Sequence, residues 1–176
     1  RLGFLMNNYE NDDLPDRVAA AATAPLHPLR MTATARDGDT HDALAINEVS
    51  LLRQTHNAAH IAILVNDKQQ MECLVCDGIL VATPAGSTAY NLSAQGPVIP
   101  LGGGLMALTP ISAFRPRRWR GALLPDDSRV VLDVLEHEFR PVSASADSAE
   151  IRHVTRVAVE QATDITLNLL YDPGFS

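Results

Sequence analysis

Residues 29–49 read LRMTATARDGDTHDALAINEV and carry the clearest structural signal in the chain. Apolar and polar side chains alternate on both sides of Asp37-Gly38, which is the pattern of half-buried β-strands. Asp-Gly between two alternating runs is a strong signal for a tight hairpin turn. This stretch therefore predicts two antiparallel strands joined at Asp37-Gly38.

The alternation recurs along the chain at spacings near ten residues. The runs that show it are HIAILVND (60–67), QQMECLVC (69–76), RVVLDVLE (129–136), FRPVSASAD (139–147), EIRHVTRVAVEQ (150–161) and DITLNLLY (164–171). Short strands at even spacing are typical of antiparallel sandwiches and stacked sheets. We therefore expect a mainly β fold, an antiparallel β-sandwich or pair of stacked sheets, with one or two short helices. One helix is expected near the start, where Asp12 or Asp13 can cap an Ala-rich run and Pro15 suits the first turn.

Composition excludes several classes of function. The 176 residues suffice for one domain with its own core. Because 14 Lys and Arg stand against 21 Asp and Glu, giving a net charge of -7, neither nucleic acid nor an anionic membrane is expected as a partner. No apolar run reaches the ~18 residues of a membrane span.

The two cysteines, Cys73 and Cys76, form one CxxC without the second pair that a structural zinc site needs. We expect two small core thiols rather than a redox or metal site. The histidines show no ligand spacing either, so no metal site is expected in this chain. Free thiols without a secretory signal favour a cytoplasmic protein.

The middle of the chain, residues 77–97, reads DGILVATPAGSTAYNLSAQGP. A short apolar strand over 79–82 leads into Thr83-Pro84-Ala85-Gly86, and a short helix is expected from about Ser87. A strand, a glycine turn and a helix start can hold an anion or a polar ligand, because first-turn N–H groups lack partners and glycine permits close backbone approach. Hydroxyls at a helix start also serve as plain caps, so both readings stay open.

Three further groups have two readings each. Asn47-Glu48 and Asp77-Gly78 are either polar residues at strand ends or groups that bind the hydroxyls of a ligand. The stretch FRPRRWRG (114–121) combines arginines with an aromatic residue, which can bind phosphates or stack on bases. In an acidic chain a surface loop or a subunit interface is the favoured reading of that stretch.

Three pieces taken together resemble the NAD kinase family. They are Asn47-Glu48-Val49, the block that runs from Asp77-Gly78 to SAQGP (93–97), and LTPI (108–111) followed by Arg115-Pro116. The family pattern reads NE, then DG…TPTGSTAY…SAGGP, then LTPI…RP. The similarity covers nearly the whole chain, and NEVSLLRQT (47–55) with LTPISAFRPRRWRGALLP (108–125) looks like the alphaproteobacterial branch.

The resemblance implies an activity and an architecture. NAD kinases transfer the terminal phosphoryl group of ATP, or in some bacteria of polyphosphate, to the 2′-hydroxyl of the adenosine ribose of NAD, with a divalent metal, usually magnesium. They combine an N-terminal α/β domain with a C-terminal all-β domain and work as homodimers or homotetramers. Here residues 1–24 would be a remnant of the α/β domain with a linking helix, and residues 25–176 the all-β NAD-binding domain.

The resemblance also assigns NAD-binding residues by position. Asn47 and Glu48 would contact the adenosine ribose or nearby phosphates, and Asp77 would hydrogen-bond the dinucleotide. The adenine and nicotinamide pockets would be lined by Ala85 through its backbone, Thr88, Ala89, Tyr90, Asn91, Leu92 and Ser93. Asp147 falls where the family often carries an Asp near the ligand. The chain departs from the family at Ala85, usually Thr or Ser, and at Gln95, usually Gly.

The GGDG motif of the family is not in these 176 residues. Its Asp is the proposed general base, and we expect it upstream of Arg1, so that this chain holds no catalytic residue and is inactive alone. Two other functions remain as alternatives to that of an NAD kinase. The chain could be a related lipid or sphingoid-base kinase domain, or a non-catalytic dinucleotide-binding or assembly module.

Overall fold

The computed structural model describes residue 10 and residues 12–172. This part of the chain forms two six-stranded antiparallel sheets, a two-stranded ribbon and short helices. In chain order, the elements are α1 (Leu14–Ala20), β1 (Ala22–Leu26), β2 (Leu29–Ala35), β3 (Thr40–Ala45), β4 (Glu48–Arg53), β5 (Ala59–Val65), β6 (Lys68–Cys76), β7 (Gly78–Ala82), a 3-10 turn (Gly86–Thr88), α2 (Tyr90–Ser93), β8 (Leu105–Ile111), β9 (Ala122–Pro125), β10 (Val130–Leu135), β11 (Val142–Ala146), β12 (Ala149–Ile151), β13 (Val154–Gln161) and β14 (Leu167–Tyr171). The predicted mainly β fold with few short helices is confirmed.

The two large sheets share one hydrophobic core. The first has the strand order β3-β2-β13-β10-β5-β6 and the second β12-β11-β4-β7-β8-β9. Met31 and Leu132 from the first sheet belong to the same buried cluster as Val49, Ile79 and Met106 from the second. Small and branched aliphatic side chains fill this cluster, which agrees with a sequence in which aromatic residues are only 5%. Burial alternates along β2, whereas β7 is buried along its whole length.

The hairpin predicted at Asp37-Gly38 is present. Strands β2 and β3 pair from Leu29 opposite Ala45 to Thr34 opposite Thr40, and Gly38 has a φ of 93° in the turn. A positive φ at this position is what glycine tolerates best.

The strand expected after the Asp37-Gly38 turn, which the sequence predicted to run to Val49, is broken in the structure. Strand β3 ends in the first sheet at Ala45, and β4 begins in the second sheet at Glu48. Likewise β6 ends at Cys76 in the first sheet, and β7 begins at Gly78 in the second. The chain therefore crosses between the sheets at Ile46-Asn47 and again at Asp77. Residues 43–49, ALAINEV, contain no Gly or Pro, which are the usual signals that a strand ends, so the sequence showed no break at the first crossover.

The side chain of Arg17 joins helix α1 to Asp172, which follows β14 in the two-stranded ribbon of β1 and β14. Asp13 occupies the N-cap position but its side chain makes no capping hydrogen bond, so capping by this side chain was a wrong prediction. The Nε of Arg17 donates to Oδ1 of Asp172 at 3.1 Å, and this bond holds the pKa of Asp172 below its ordinary value. Strand β1 spans Ala22–Leu26, on both sides of the expected division after residue 24. That division stays a prediction.

Both cysteines are free thiols on β6, Cys76 buried and Cys73 half-buried. Burial raises the pKa of both, that of Cys76 to about 12, which leaves little reactive thiolate at neutral pH. The reading as core thiols therefore fits the structure. In residue 10 and residues 12–172, no helix is long and apolar enough to cross a bilayer.

Candidate functional site

The crossover segment Ile46–Glu48 is held from one side by Asp147. The Asp147 carboxylate accepts three backbone N–H groups, from Ile46 at 2.7 Å, Asn47 at 3.0 Å and Glu48 at 3.2 Å. The N–H of Asp147 in turn donates to the carbonyl of Glu48 at 3.1 Å. Asp147 follows β11 in the left-handed region at a φ of 47°, a conformation that Asp adopts more readily than most residues. A residue about one hundred positions away thus fixes the backbone of the Asn-Glu pair.

The turn after β7 holds the same segment from the other side. The N–H of Thr83 donates to the carbonyl of Asn47 at 2.9 Å, and its Oγ1 donates to the carbonyl of Ile46 at 2.7 Å. The N–H of Gly86 donates to Oγ1 of Thr83 at 3.0 Å. A Cβ at Gly86 would stand 1.9 Å from the carbonyl oxygen of Asn47, so only glycine fits there. The absence of a side chain at Gly86 therefore lets its backbone approach Asn47 closely, and the predicted approach to a ligand stays a prediction.

Buried hydrogen bonds fix the position of the hydroxyl-rich segment, which is the stretch from Ser87 to Ser93 after Gly86. Ser87 Oγ donates to the carbonyl of Pro84 at 2.6 Å and accepts the N–H of Ile99 at 2.9 Å. The hydroxyl of Thr88 donates to the carbonyl of Ala85 at 3.5 Å. The helical pieces here are three and four residues long, and neither is capped by a side chain. These hydroxyls therefore hold the loop and do not cap a helix.

Asn91 is the most completely engaged of the predicted site residues. Its side chain is fully buried; Nδ2 donates to the carbonyls of Ser87 at 3.1 Å and Pro97 at 2.9 Å, and Oδ1 accepts the hydroxyl of Thr109 at 2.6 Å. A Cβ at Gly96 would come within 2.1 Å of that Oδ1. These contacts make Asn91 a scaffold residue, and contact between its side chain and a ligand stays an untested prediction.

The remaining predicted residues of this segment differ in exposure. Tyr90 and Ser93 are exposed, while Ala85, Ala89 and Leu92 are half-buried. Asn47 and Glu48 are half-buried beside the Thr83–Gly86 turn. The structure therefore brings Asn47, Glu48 and Asp147 together with the start of the hydroxyl-rich segment.

Asp77 lies apart from this group. Strands β4 and β7 pair from Glu48 opposite Ala82 to Leu52 opposite Gly78, so Asp77 stands at the other end of β7, roughly 13 Å along the strand. Its carboxylate accepts the Nε of Arg53 at 2.6 Å. The part assigned to Asp77 in dinucleotide binding stays a prediction.

Sequence reasoning missed Thr83 and Thr109 as supports of the site. Thr83 holds the crossover segment, and Thr109 holds Asn91 from β8. A signal for each was present, because a threonine within an apolar strand, as Thr109 is, or directly after one, as Thr83 is, needs a hydrogen-bond partner when it is buried. The partner itself cannot be read from the sequence.

Two solved structures share the fold of this chain. A yeast NADH kinase complexed with NADH aligns with 86% of this chain and 44% of its own at a TM-score of 0.75 and 21% identity. An NAD kinase from Archaeoglobus fulgidus in complex with ATP aligns with 86% of this chain and 57% of its own at a TM-score of 0.69 and 21% identity. The chain thus shares the fold of these two proteins over most of its length and spans about half of each of them.

Sequence comparison identifies the family. The family described as ATP-NAD kinase C-terminal domain matches residues 46–164. The chain is 58% identical to the NAD kinase of Hyphomonas neptunium over 98% of its length and 55% identical to that of Caulobacter vibrioides over 99%, covering 68% and 67% of those proteins. The chain belongs to the NAD kinase family, whose members are phosphotransferases. Its similarity to relatives that are mostly alphaproteobacterial confirms the branch predicted from sequence.

Proposed function

We propose that this chain is the NAD-binding part of an NAD kinase that phosphorylates the 2′-hydroxyl of the adenosine ribose of NAD and forms NADP. Membership of the family supports the reaction class. The observation that carries the assignment to this surface is the double support of Asn47-Glu48, by the carboxylate of Asp147 and by the Thr83–Gly86 turn. An amide and a carboxylate on a fixed backbone are suited to the vicinal hydroxyls of a ribose.

The contribution of these residues to the reaction is binding and orientation. Phosphoryl transfer depends on positioning and on electrostatic stabilisation of the transferred group. Asn47 and Glu48 would hold the adenosine ribose so that its 2′-hydroxyl has one position. The loop from Ala85 to Ser93 would line the base pockets, with the exposed Tyr90 and Ser93 free for contact. Asp147 acts on the ligand through the backbone that it holds.

NAD kinases use a divalent metal, and we propose that it binds together with the phosphoryl donor. In residue 10 and residues 12–172, no group of three or more His, Cys, Asp or Glu residues is placed to hold a cation. The proposal takes the metal to be magnesium bound to the phosphates of ATP or polyphosphate. The general base would be the Asp of the family's GGDG motif, which these 176 residues do not contain. The proposal includes a homodimer or homotetramer in the cytoplasm, in keeping with the family resemblance.

The test is NADP formation by the full-length protein with ATP and with polyphosphate as donors. Glu48→Gln should lower kcat/KM for NAD strongly while the unfolding temperature stays unchanged. Glu72→Gln is the matched control, because Glu72 is exposed on β6 in the other sheet. Unchanged turnover in Glu48→Gln would remove Glu48 from the site. Tight NAD binding without turnover in the wild-type protein would favour a dinucleotide-binding module, and phosphorylation of a sphingoid base in place of NAD would favour a lipid kinase.

A further inference from the structure

A cleft of about 320 Å³ opens at the end of the hydroxyl-rich segment. One wall is formed by Ser93 and Gln95, at the end of α2. The other is formed by Ile111, the last residue of β8, by Ser112 and Ala113 after it, and by Arg118–Arg120. Its volume lies at the lower end of the range for small-molecule sites, roughly 300–1,000 Å³.

The arginines beside the cleft fall into two pairs. The guanidinium groups of Arg115 and Arg117 lie over the ring of Phe114, at 5.6 and 5.9 Å from its centre, and neither residue lines the cleft. Arg118 and Arg120 line the cleft. Neither forms an ion pair or a side-chain hydrogen bond with any described residue, and no carboxylate is among the described residues of the lining. In a protein with a net charge of -7, two uncompensated cations at one cleft indicate an anionic ligand.

The backbone around the cleft is strained in three places. Gln95, Ser112 and Arg118 have φ values of 65°, 50° and 65°, and they are three of the nine non-glycine residues with positive φ in the described part of the chain. Such conformations are uncommon for these residue types and persist where the surrounding structure imposes them. Strained backbone conformations are enriched at ligand-binding sites, and here they occur on both walls of the cleft.

We infer that this cleft binds a pyrophosphate-bearing ligand, with the guanidinium groups of Arg118 and Arg120 on its phosphates. Arginine matches phosphate oxygens with two parallel N–H donors, and these charge-assisted bonds are stronger than neutral ones. The Ser93 hydroxyl and the Gln95 amide on the facing wall offer polar contacts to a sugar or a base. Half-buried Trp119, which packs against the core, gives the lining an apolar part.

Three ligands share this chemistry: inorganic tripolyphosphate, ATP and NAD. For ATP and NAD the inference rests on the proposed function, because Ser93 belongs to both the cleft and the predicted dinucleotide site. Tripolyphosphate has no base or sugar, so it reports on the two arginines alone and makes the inference independent of NADP formation.

The experiment measures binding of tripolyphosphate, ATP and NAD to the full-length protein by titration calorimetry at about 0.15 M salt. The double variant R118Q/R120Q removes the cleft cations, and R115Q/R117Q is the matched control with equal loss of charge on the same loop. Tripolyphosphate should bind about tenfold or more weakly to R118Q/R120Q, because each lost charge-assisted bond is worth at least one factor of ten. The control should weaken tripolyphosphate binding less, because neither Arg115 nor Arg117 lines the cleft.

The pattern over the three ligands identifies the source of the phosphates. If R118Q/R120Q binds tripolyphosphate and ATP more weakly by similar factors and binds NAD unchanged, the cleft holds the phosphates of the phosphoryl donor. If its affinity for NAD falls as well, the cleft is shared with the dinucleotide. Equal losses in the two double variants, unchanged tripolyphosphate binding in R118Q/R120Q, or no tripolyphosphate binding by the wild-type protein would each overturn the inference. A protein that holds tripolyphosphate through these arginines and forms no NADP would refute the proposed function alone.

Discussion

Replacement of Asp147 tests whether one exposed carboxylate organises the candidate site. Oδ1 accepts the N–H groups of Asn47 and Glu48, and Oδ2 accepts that of Ile46. Asn at this position keeps one acceptor oxygen and two of these bonds, and it tolerates the φ of 47°. Gly removes all three bonds and accepts the backbone conformation without strain. Ala removes the bonds and adds the cost of a left-handed backbone.

The expected losses in the free energy of unfolding follow from these differences. An exposed side-chain oxygen that accepts backbone amides contributes about 0.5–2 kcal/mol, because water partly replaces it when it is removed. We expect about 1 kcal/mol for Asp147→Asn and about 2 kcal/mol for Asp147→Gly. Asp147→Ala should cost about 3 kcal/mol, because a left-handed residue with a Cβ adds at least about 1 kcal/mol.

Urea unfolding, followed by circular dichroism, measures the three values, and a change in midpoint without a change in slope identifies an effect on stability. The KM for NAD should rise in the same order if the segment Ile46–Glu48 holds the ribose. An Asp147→Ala protein as stable as the wild type, or one no less stable than Asp147→Gly, would refute the reasoning. Ser148→Ala, at the neighbouring exposed position, is the control and should change neither value.

The other predictions concern buried contacts. Gly86→Ala should destabilise the protein by about 3 kcal/mol or more in urea unfolding, because its Cβ would overlap the carbonyl of Asn47, and a loss below about 1 kcal/mol would contradict that contact. Thr109→Val should cost about 1–3 kcal/mol by leaving Oδ1 of Asn91 buried without its donor, and a fully stable variant would show that water or another group replaces the hydroxyl. Since burial raises the pKa of Cys76 to about 12, the native thiol should stay protonated and resist Ellman's reagent at pH 8.5 but react once the protein is unfolded in urea. The free energy of unfolding should not depend on Cys76 below the ordinary thiol pKa, and it should fall as pH rises from there towards the raised pKa, because the unfolded chain then loses the thiol proton first. Fast labelling of Cys76 in the native protein would contradict its burial.

Much of the architecture could be predicted from residue patterns. The alternation in LRMTATA and the Asp37-Gly38 turn predicted the β2–β3 hairpin, because a half-buried antiparallel strand must present apolar side chains on one face. The same pattern could not show where β3 ends, because no Gly or Pro marks Ile46-Asn47, where the chain passes to the other sheet. The order of the NE, TPAGSTAY and LTPI motifs indicated the family that the comparisons identify.

For the candidate site, the sequence named residues but could not show how they are arranged. Asn47, Glu48 and Asp147 were expected near one ligand, and the structure places them together. Asp77 was expected with them and lies at the other end of β7. Alternation along a strand shows which face of the sheet each side chain takes. Whether Asp77, before the first residue of β7, lies near Asn47 and Glu48 depends on which strand pairs with β7 and in which direction and register, and no single residue type shows that.

The amino-acid sequence was sufficient for the periodicity of the strands, the turn at Asp37-Gly38 and the membership of the family, since each depends on neighbouring residues or on motif order. The three-dimensional structure was needed to show that Asp147 holds Ile46–Glu48 and that Arg118 and Arg120 share a cleft with Ser93. The physical reason is that these contacts join backbone amides and surface side chains that lie far apart in the chain. A backbone N–H is the same donor in almost every residue, so its distant acceptor leaves no local signal.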